Sequence, residues 1–301
     1  MKLSVSAPIY SSDFISEEAR YHVIAAAGFR FINCDFPNFN KENPAAMDYM
    51  CDEWRTVARQ HRELLNRAGL TPIMAHGPYC YPVTPDNRDA YIAACTRVIE
   101  SCAEIGIPHV VFHPDAAPGM SQDAFLSTNR ALFRSLIPAL EKTGVVALLE
   151  NIGQASDPHH LHNGSELRQT IEAVDHPLFA ACWDAGHDNH NEADQRESLR
   201  TLGSLIKGLH IHDNLGDIAV HEKFPLNDMH LLPLFGTVDY DTVISTLKEI
   251  GYSGYFNFEV KTPHSSHGKL AAVMPEIYRH TLTMLYGIGK CMLEAYDWFE
   301  A

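Results

Sequence analysis

Five times along the chain a helical pattern of apolar and polar positions ends in glycine, and an almost unbroken apolar run follows. The segments are AAAGFRFINCD, NRAGLTPIMAH, EIGIPHVVFH, KTGVVALLE and EIGYSGYFNFE, with Gly28, Gly69, Gly106, Gly144 and Gly251 at the junctions. A helix that stops on a left-handed residue favours glycine there. Runs such as Val110-Val111-Phe112 and residues 145–149 lack the alternation of a half-exposed strand. They fit parallel strands buried on both faces. Amphipathic stretches over 47–68 and 89–105 lie between them and predict helices.

Three less regular segments bring the predicted strands to eight, at 3–6, 29–35, 71–76, 109–113, 145–150, 178–184, 206–212 and 254–260. Strand and helix alternate throughout, as in a (β/α)8 TIM barrel, a closed parallel sheet with outer helices. An open doubly wound sheet alternates in the same way. No G-x-G-x-x-G follows the first strand, which weakens its dinucleotide-binding version. No linker or low-complexity stretch interrupts the pattern, so residues 1–301 are expected to form one barrel domain. Residues 271–298 read as the last barrel helix and a C-terminal helical extension from about 285.

Composition narrows the function. The formal charge is −15 over 301 residues, a poor basis for electrostatic binding of nucleic acid. Apolar residues make up 46% and charged residues 20%, as expected of a globular chain and not of a disordered one. No apolar run is long enough for a membrane span, and the N-terminal segment lacks the apolar region of a signal peptide. The seven cysteines are odd in number and form no C-x-x-C. Reduced thiols in a cytoplasmic protein are expected.

The 18 histidines are more informative by position than by number. Strand three ends in His76, strand four in His113, strand five in Glu150 and strand six in Asp184, with His187 three residues on. Strand seven carries His210 and His212, strand eight ends in Glu259, and Asp228 and His230 follow in NDMHLLPLFG. All strand C-termini of a (β/α)8 barrel meet at one mouth. Carboxylates and imidazoles buried together there are costly unless something compensates them, and a divalent cation does. A set of oxygen and imidazole donors without thiolate suits Zn, Mn, Co or Mg.

Single residues have plainer readings. One strand-end histidine is more often structural than a ligand, so the coincidence of the set carries the weight. Trp183 and Phe112 alternate with Asp184 and His113 and should face the helices as core. His159, His160 and His162 form a metal-like tract in a loop and are expected to be structural. Asp213 has the wrong parity to share a face with His210 and His212, which suits a turn or supporting role. Tyr10, Phe36, Phe39, Tyr79, Tyr81 and Phe235 could wall off a small ligand or simply cap the barrel.

In order and spacing, the motifs MAHGPY, FHPD, LLEN, CWDAGH, LHIHDN and FNFEV resemble the xylose isomerase-like TIM-barrel superfamily. That superfamily includes sugar isomerases and epimerases, inosose dehydratases and endonuclease IV. Its ketose epimerases hold one divalent ion through Glu, Asp, His and Glu, which the resemblance carries onto Glu150, Asp184, His210 and Glu259. The two glutamates, Glu150 and Glu259, would exchange a proton next to a carbonyl polarised by the ion. His187 would contact substrate hydroxyls, and His76, His113 and His212 would line the same substrate site. The likeness to endonuclease IV implies up to three zinc ions. Glu150 would then be shared with His76 and His113, and the third ion would be held by His187, Asp228 and His230.

Charge on the predicted loops separates these readings. They carry Lys41, Lys223, Lys261 and Lys269 and no arginine, against Asp13, Asp115, Asp157, Asp188, Glu192, Asp217 and Glu222. A DNA-binding mouth needs several phosphate-contacting cations. The expectation is therefore one divalent ion and an uncharged small-molecule carbohydrate, a sugar or cyclic polyol ketone. No nucleic-acid or membrane partner is expected, and a homo-oligomer is left open. A zinc phosphodiesterase, an inosose dehydratase-type lyase and a barrel that binds without turnover are the alternatives. The facing glutamates argue against the last.

Overall fold

A computed structural model describes residues 1–7, 16–44, 47–80, 83–117, 119–153, 160–216, 229–261 and 268–301. Asp228, together with Tyr10, Asp13, Tyr81, Asp157, His159, Asp217, Glu222 and Lys223, lies outside them.

The strands are β1 (Lys2–Ser6), β2 (Phe31–Asp35), β3 (Thr71–His76), β4 (His109–Phe112), β5 (Val146–Glu150), β6 (Phe179–Asp184), β7 (Ile206–His210) and β8 (Tyr255–Phe258). All pair in parallel, in the order β7-β6-β5-β4-β3-β2-β1-β8. A parallel bridge between Ile211 and Phe258 joins the two ends of that order. Its hydrogen bonds run from Ile211 N to Asn257 O (2.9 Å) and from Glu259 N to Ile211 O (3.0 Å). The ring is thereby closed into a (β/α)8 barrel.

Around it run α1 (Glu17–Ala26), α2 (Trp54–Ala68), α3 (Arg88–Ile105), α4 (Gln122–Thr143), α5 (Gly164–Val174), α7 (Gln195–Leu202), α8 (Tyr240–Glu249) and α10 (Met274–Glu294). Two short helices, α6 (Ala185–His190) and α9 (Gly268–Ala271), complete the described set. Local signals set the helix ends. Ser16, Ser121, Asn163, Asp194 and Asp239 accept hydrogen bonds from first-turn amides, satisfying donors that the helix cannot. All five junction glycines have positive φ. The last helix, α10, runs unbroken past position 285, and Glu300 N behind it reaches Met1 O (2.9 Å) beneath β1.

The apolar residues form two layers. The larger lies between strands and helices and includes Phe112 and Trp183, both about fully buried, as their parity requires. The smaller fills the barrel interior with Ile73, Met74, Val111, Leu148, Ala180 and Cys182. A barrel packed below its mouth leaves the strand ends as the place for polar chemistry. Among the described residues, no helix is long and apolar enough to cross a membrane. All seven cysteines are free thiols.

Candidate metal centre at the barrel mouth

Glu150, Asp184 and His210 close β5, β6 and β7, and Glu259 follows β8. One donor atom from each of the four lies within 4.8 Å of the others. His210 Nδ1 is 2.8 Å from Glu150 Oε1, 3.2 Å from Glu259 Oε2 and 4.0 Å from Asp184 Oδ2. All four side chains are buried. Asp184 and His210 are direct partners in the sheet register, which fixes their spacing.

Asp184 also starts α6. Its Oδ1 accepts from His187 N at 2.6 Å, capping the helix. Asn151 clamps it from the neighbouring strand: Asn151 Nδ2 donates to Asp184 O (2.9 Å), and Asp184 N donates to Asn151 Oδ1 (2.8 Å). This leaves Asp184 Oδ2 buried and without a hydrogen-bond partner, aimed at His210.

Two further groups adjoin. His76, His113 and Glu150 form one, with the two Nε2 atoms 3.1 Å apart and Glu150 Oε2 3.6 and 3.2 Å from them. His187, His212 and His230 form the other, His212 and His230 stacking at 3.8 Å between ring centroids. Backbone carbonyls anchor the far nitrogen of three of these rings. The Nδ1–H groups of His76, His187 and His230 donate to Gly77 O (2.9 Å), Asn151 O (2.8 Å) and Glu259 O (2.8 Å). A carbonyl at one nitrogen orients the ring and leaves the other nitrogen for a ligand; in His76 that other nitrogen, Nε2, faces His113 and Glu150.

Opposite charges are interleaved. Burial acts to raise the Glu150 carboxyl, but His210, His113 and His76 overcome it and hold the group well below the usual carboxylate range. Asp184 is likewise lowered against its burial by His187 and His212. Burial acts to lower His210, and Cys182, Glu150 and Glu259 raise it well above the usual imidazole value. The same contest takes His76 up to about 9, through Glu150, Glu259 and Asp35, whereas burial prevails at His113 and lowers it. The donors fit a divalent cation: three carboxylates and an imidazole, a buried oxygen without a partner and no thiolate in the set.

The structure thus brings together every described residue of the predicted site: His76, His113, Glu150, Asp184, His187, His210, His212, His230 and Glu259. His212 joins the group for which the sequence suggested His187, Asp228 and His230. His160 is structural, its Nε2 at Met120 O (2.9 Å) and its ring on Phe125. Asp213 serves a turn, accepting from Asn214 N (2.9 Å) and Val238 N (3.1 Å). Phe36 and Phe39 are buried against Tyr49 and Tyr91, Phe235 is exposed, and Tyr79 stacks on His113 at 5.2 Å.

Two sequence expectations need correcting. Asp188, counted among the loop acids, is buried in α6. An arginine does stand at the mouth: Arg88 opens α3, 4.0 Å from Asp115 Oδ2. Sequence reasoning also missed Asp35, at the end of β2, whose carboxyl burial pushes up to about 6. The rule that flagged the other strand ends would have found it. Nothing comparable flags Asn33 on β2, whose Nδ2 lies 3.3 Å from His210 Nε2 on β7 and 3.0 Å from Ser6 Oγ on β1.

A family model described as "Xylose isomerase-like TIM barrel" matches residues 21–286. The chain belongs to this family. Among curated relatives, a "Probable endonuclease 4" of Geobacter sulfurreducens is 33% identical over 131 residues, 42% of this chain and 44% of that protein. An uncharacterized protein of Methanocaldococcus jannaschii is 27% identical over 198 residues, 63% and 64% of the two chains. The chain thus spans from under half to just under two thirds of these relatives' length. Solved structures align over nearly the whole xylose isomerase-like barrel. A D-tagatose 3-epimerase-like protein superposes with a TM-score of 0.67 at 20% identity, covering 95% of this chain and 99% of that one. D-psicose 3-epimerase of Clostridium cellulolyticum H10, solved with D-tagatose, gives 0.72 at 15%, covering 97% and 99%. At such identities the likeness speaks for the fold.

Proposed function

We propose that the protein is a divalent-metal-dependent sugar isomerase or epimerase acting on an uncharged sugar or cyclic polyol ketone. One observation carries the reading: Glu150 and Glu259 both reach His210 Nδ1, so two buried carboxylates converge on one point of the mouth. Glu150, Asp184, His210 and Glu259 would hold the cation. A cation there supplies polarisation of a substrate carbonyl and offsets the negative charge that develops on its oxygen. The two glutamates would take and return the proton on the adjacent carbon. His76, His113, His187 and His212 would line the substrate site. A residue range of 1–301 acting as one domain belongs to the same proposal.

A second reading, an endonuclease IV-like phosphodiesterase, is favoured by the two histidine groups beside the four-residue cluster. They offer donors for three ions in all. The mouth counts against it: Arg88 faces Asp115, and Lys41 and Lys261 are the described lysines of the βα loops before α9. An inosose dehydratase-type lyase would begin with the same proton abstraction as the isomerase.

Exchange of the proton next to the carbonyl in deuterated water tests the main reading across free ketoses and inososes, because isomerisation, epimerisation and dehydration all start there. Metal-loaded protein should exchange at least one substrate. Glu150→Gln and Glu259→Gln should keep sugar binding and lose turnover by roughly 100-fold or more. No exchange over a broad panel sinks the proposal. Exchange that both variants leave unchanged refutes the assignment of the two bases.

A further inference from the structure

Beside the metal centre the mouth carries an open cavity of about 330 Å³. Two loops form it: residues 38–42, between β2 and α2, and Tyr79 with Cys80, between β3 and α3. Its size is at the lower end of small-molecule sites, which run from about 300 to 1,000 Å³. The proton-transfer chemistry above does not use it. One ring separates the two places. Tyr79 lines the cavity and also stacks on His113, with 5.2 Å between centroids and 11° between planes. His113 Nε2 is in turn 3.2 Å from Glu150 Oε2. A ligand held at the four-residue cluster reaches the cavity by passing a single aromatic side chain.

Both walls are braced by one buried side chain, Tyr91 of α3. Its ring packs on Phe39 at 5.5 Å, and its hydroxyl donates to Pro78 O (3.0 Å), next to Tyr79. On the rim, Asn40 Oδ1 accepts from Glu42 N and Asn43 N (3.1 Å each), which fixes the turn. A cavity braced in this way needs little ordering when a ligand arrives. Its lining suits a sugar. Phe39 and Cys80 are buried and give an apolar floor, and Tyr79 gives a partly exposed aromatic wall. The exposed amides of Asn38 and Asn40 supply polar groups at the rim. Lys41 and Glu42 add one charge of each sign, so the rim has no net charge to offer an anion. A saccharide ring presents the matching surfaces: a C–H face for aromatic rings, and hydroxyls that both donate and accept.

We propose that this cavity is a second saccharide subsite and that the substrate is a glycosylated ketose. Its keto unit lies at the four-residue cluster, and its next unit lies between Tyr79 and the loop of Phe39. The inference rests on the sugar-enzyme reading above and names the substrate class within it. Residues 38–42 and Tyr79 then decide specificity, and Glu150 and Glu259 keep the chemistry.

The test uses the full, metal-loaded chain and exchange of the proton next to the carbonyl in deuterated water. The probes are lactulose, maltulose, isomaltulose and turanose, each a fructose unit carrying a second sugar, set against D-fructose and D-fructose 6-phosphate. Binding of the second unit should raise kcat/KM for at least one disaccharide about 10-fold or more above fructose. Saturation-transfer NMR of that disaccharide should mark the protons of both units. Asn38→Trp fills the cavity from its rim, so the ratio should fall to about 1 and the marks on the second unit should vanish. The wild-type ratio and NMR decide even if Asn38→Trp fails to fold. A disaccharide advantage that survives in folded Asn38→Trp places the second unit elsewhere and overturns the proposal. So does a second unit left unmarked in wild type. Fructose exchanged as well as every disaccharide refutes this inference and leaves the sugar-enzyme reading standing. A preference for fructose 6-phosphate gives the cavity to an anion at Lys41 and also overturns it. If no sugar of either size exchanges, the sugar-enzyme reading falls and this inference with it.

Discussion

Gly186 lies directly beneath the imidazole of His212: a Cβ at position 186 would run into the ring. Asn214 Nδ2 holds the Gly186 carbonyl from the other side at 2.6 Å, so the α6 backbone cannot easily withdraw. His212 gains its place beside His187 and His230 because residue 186 has no side chain. Gly186 sits in helical backbone, where alanine itself is favoured, so the obstacle is the collision and not the conformation.

Gly186→Ala should therefore push His212 off its seat and break the three-histidine group while the four-residue cluster stays. Metal analysis should show any ion at the histidine group lost and the ion at Glu150, Asp184, His210 and Glu259 retained. Unchanged metal content and unchanged His212 position in a structure of the variant would contradict this.

Purified without chelator, the protein should carry at least one divalent ion per chain. Three buried carboxylates so close together repel one another unless a cation is present. Asp184→Asn should cut affinity at the four-residue cluster by 10-fold or more, because Asp184 supplies the unpartnered oxygen. Metal analysis and titration of the stripped protein decide the matter, and the absence of any tight site would refute the metal centre.

Asp188 gives a pH test of stability. Burial pushes its carboxyl up to about 8 from the ordinary 3.8, with Asp184 and Asp194 adding to the rise and Ser198 opposing it. Between those values the folded protein holds a proton that the unfolded chain has released. Stability must then fall as pH rises through that window and level off above about 8. Asp188→Asn has nothing to titrate and keeps the acceptor for Ser198 Oγ, 3.2 Å away. Its Tm advantage over wild type should grow from pH 5 to pH 8, reaching about 2 °C or more. An advantage that is flat with pH would show that Asp188 is already ionised in the fold.

Duplex DNA containing an abasic site should bind weakly at physiological salt, since few cations at the mouth are available to phosphates. Efficient nicking of such DNA at low protein concentration would favour the phosphodiesterase reading over the sugar enzyme.

Much of this was legible without coordinates because the signals are local. Periodicity and junction glycines located all eight strands to within two residues at most ends. The strand-end rule then found Glu150, Asp184, His210 and Glu259, since a barrel brings strand ends together whatever their separation in sequence. Asp35 was missed because the motif reading began at strand three. Asn33 and Ser6 were missed for a better reason. Nothing about an asparagine in FINCD marks a partner on β7, nor about a serine in SVSAP one on β8.

The sequence by itself determined the barrel, its strand ends and the donor types at the mouth, because each follows from periodicity and from the short-range chemistry of helix ends. Only the tertiary structure decided which donors form one group. It put His212 with His187 and His230, and withdrew Asp188 from the surface into α6. It alone decided which nitrogen of each ring faces its group. For His187 and His230 that choice depends on a carbonyl from a distant segment, Asn151 and Glu259, standing behind the imidazole. Such a partner is selected by packing across the barrel, and no spacing along the chain encodes it.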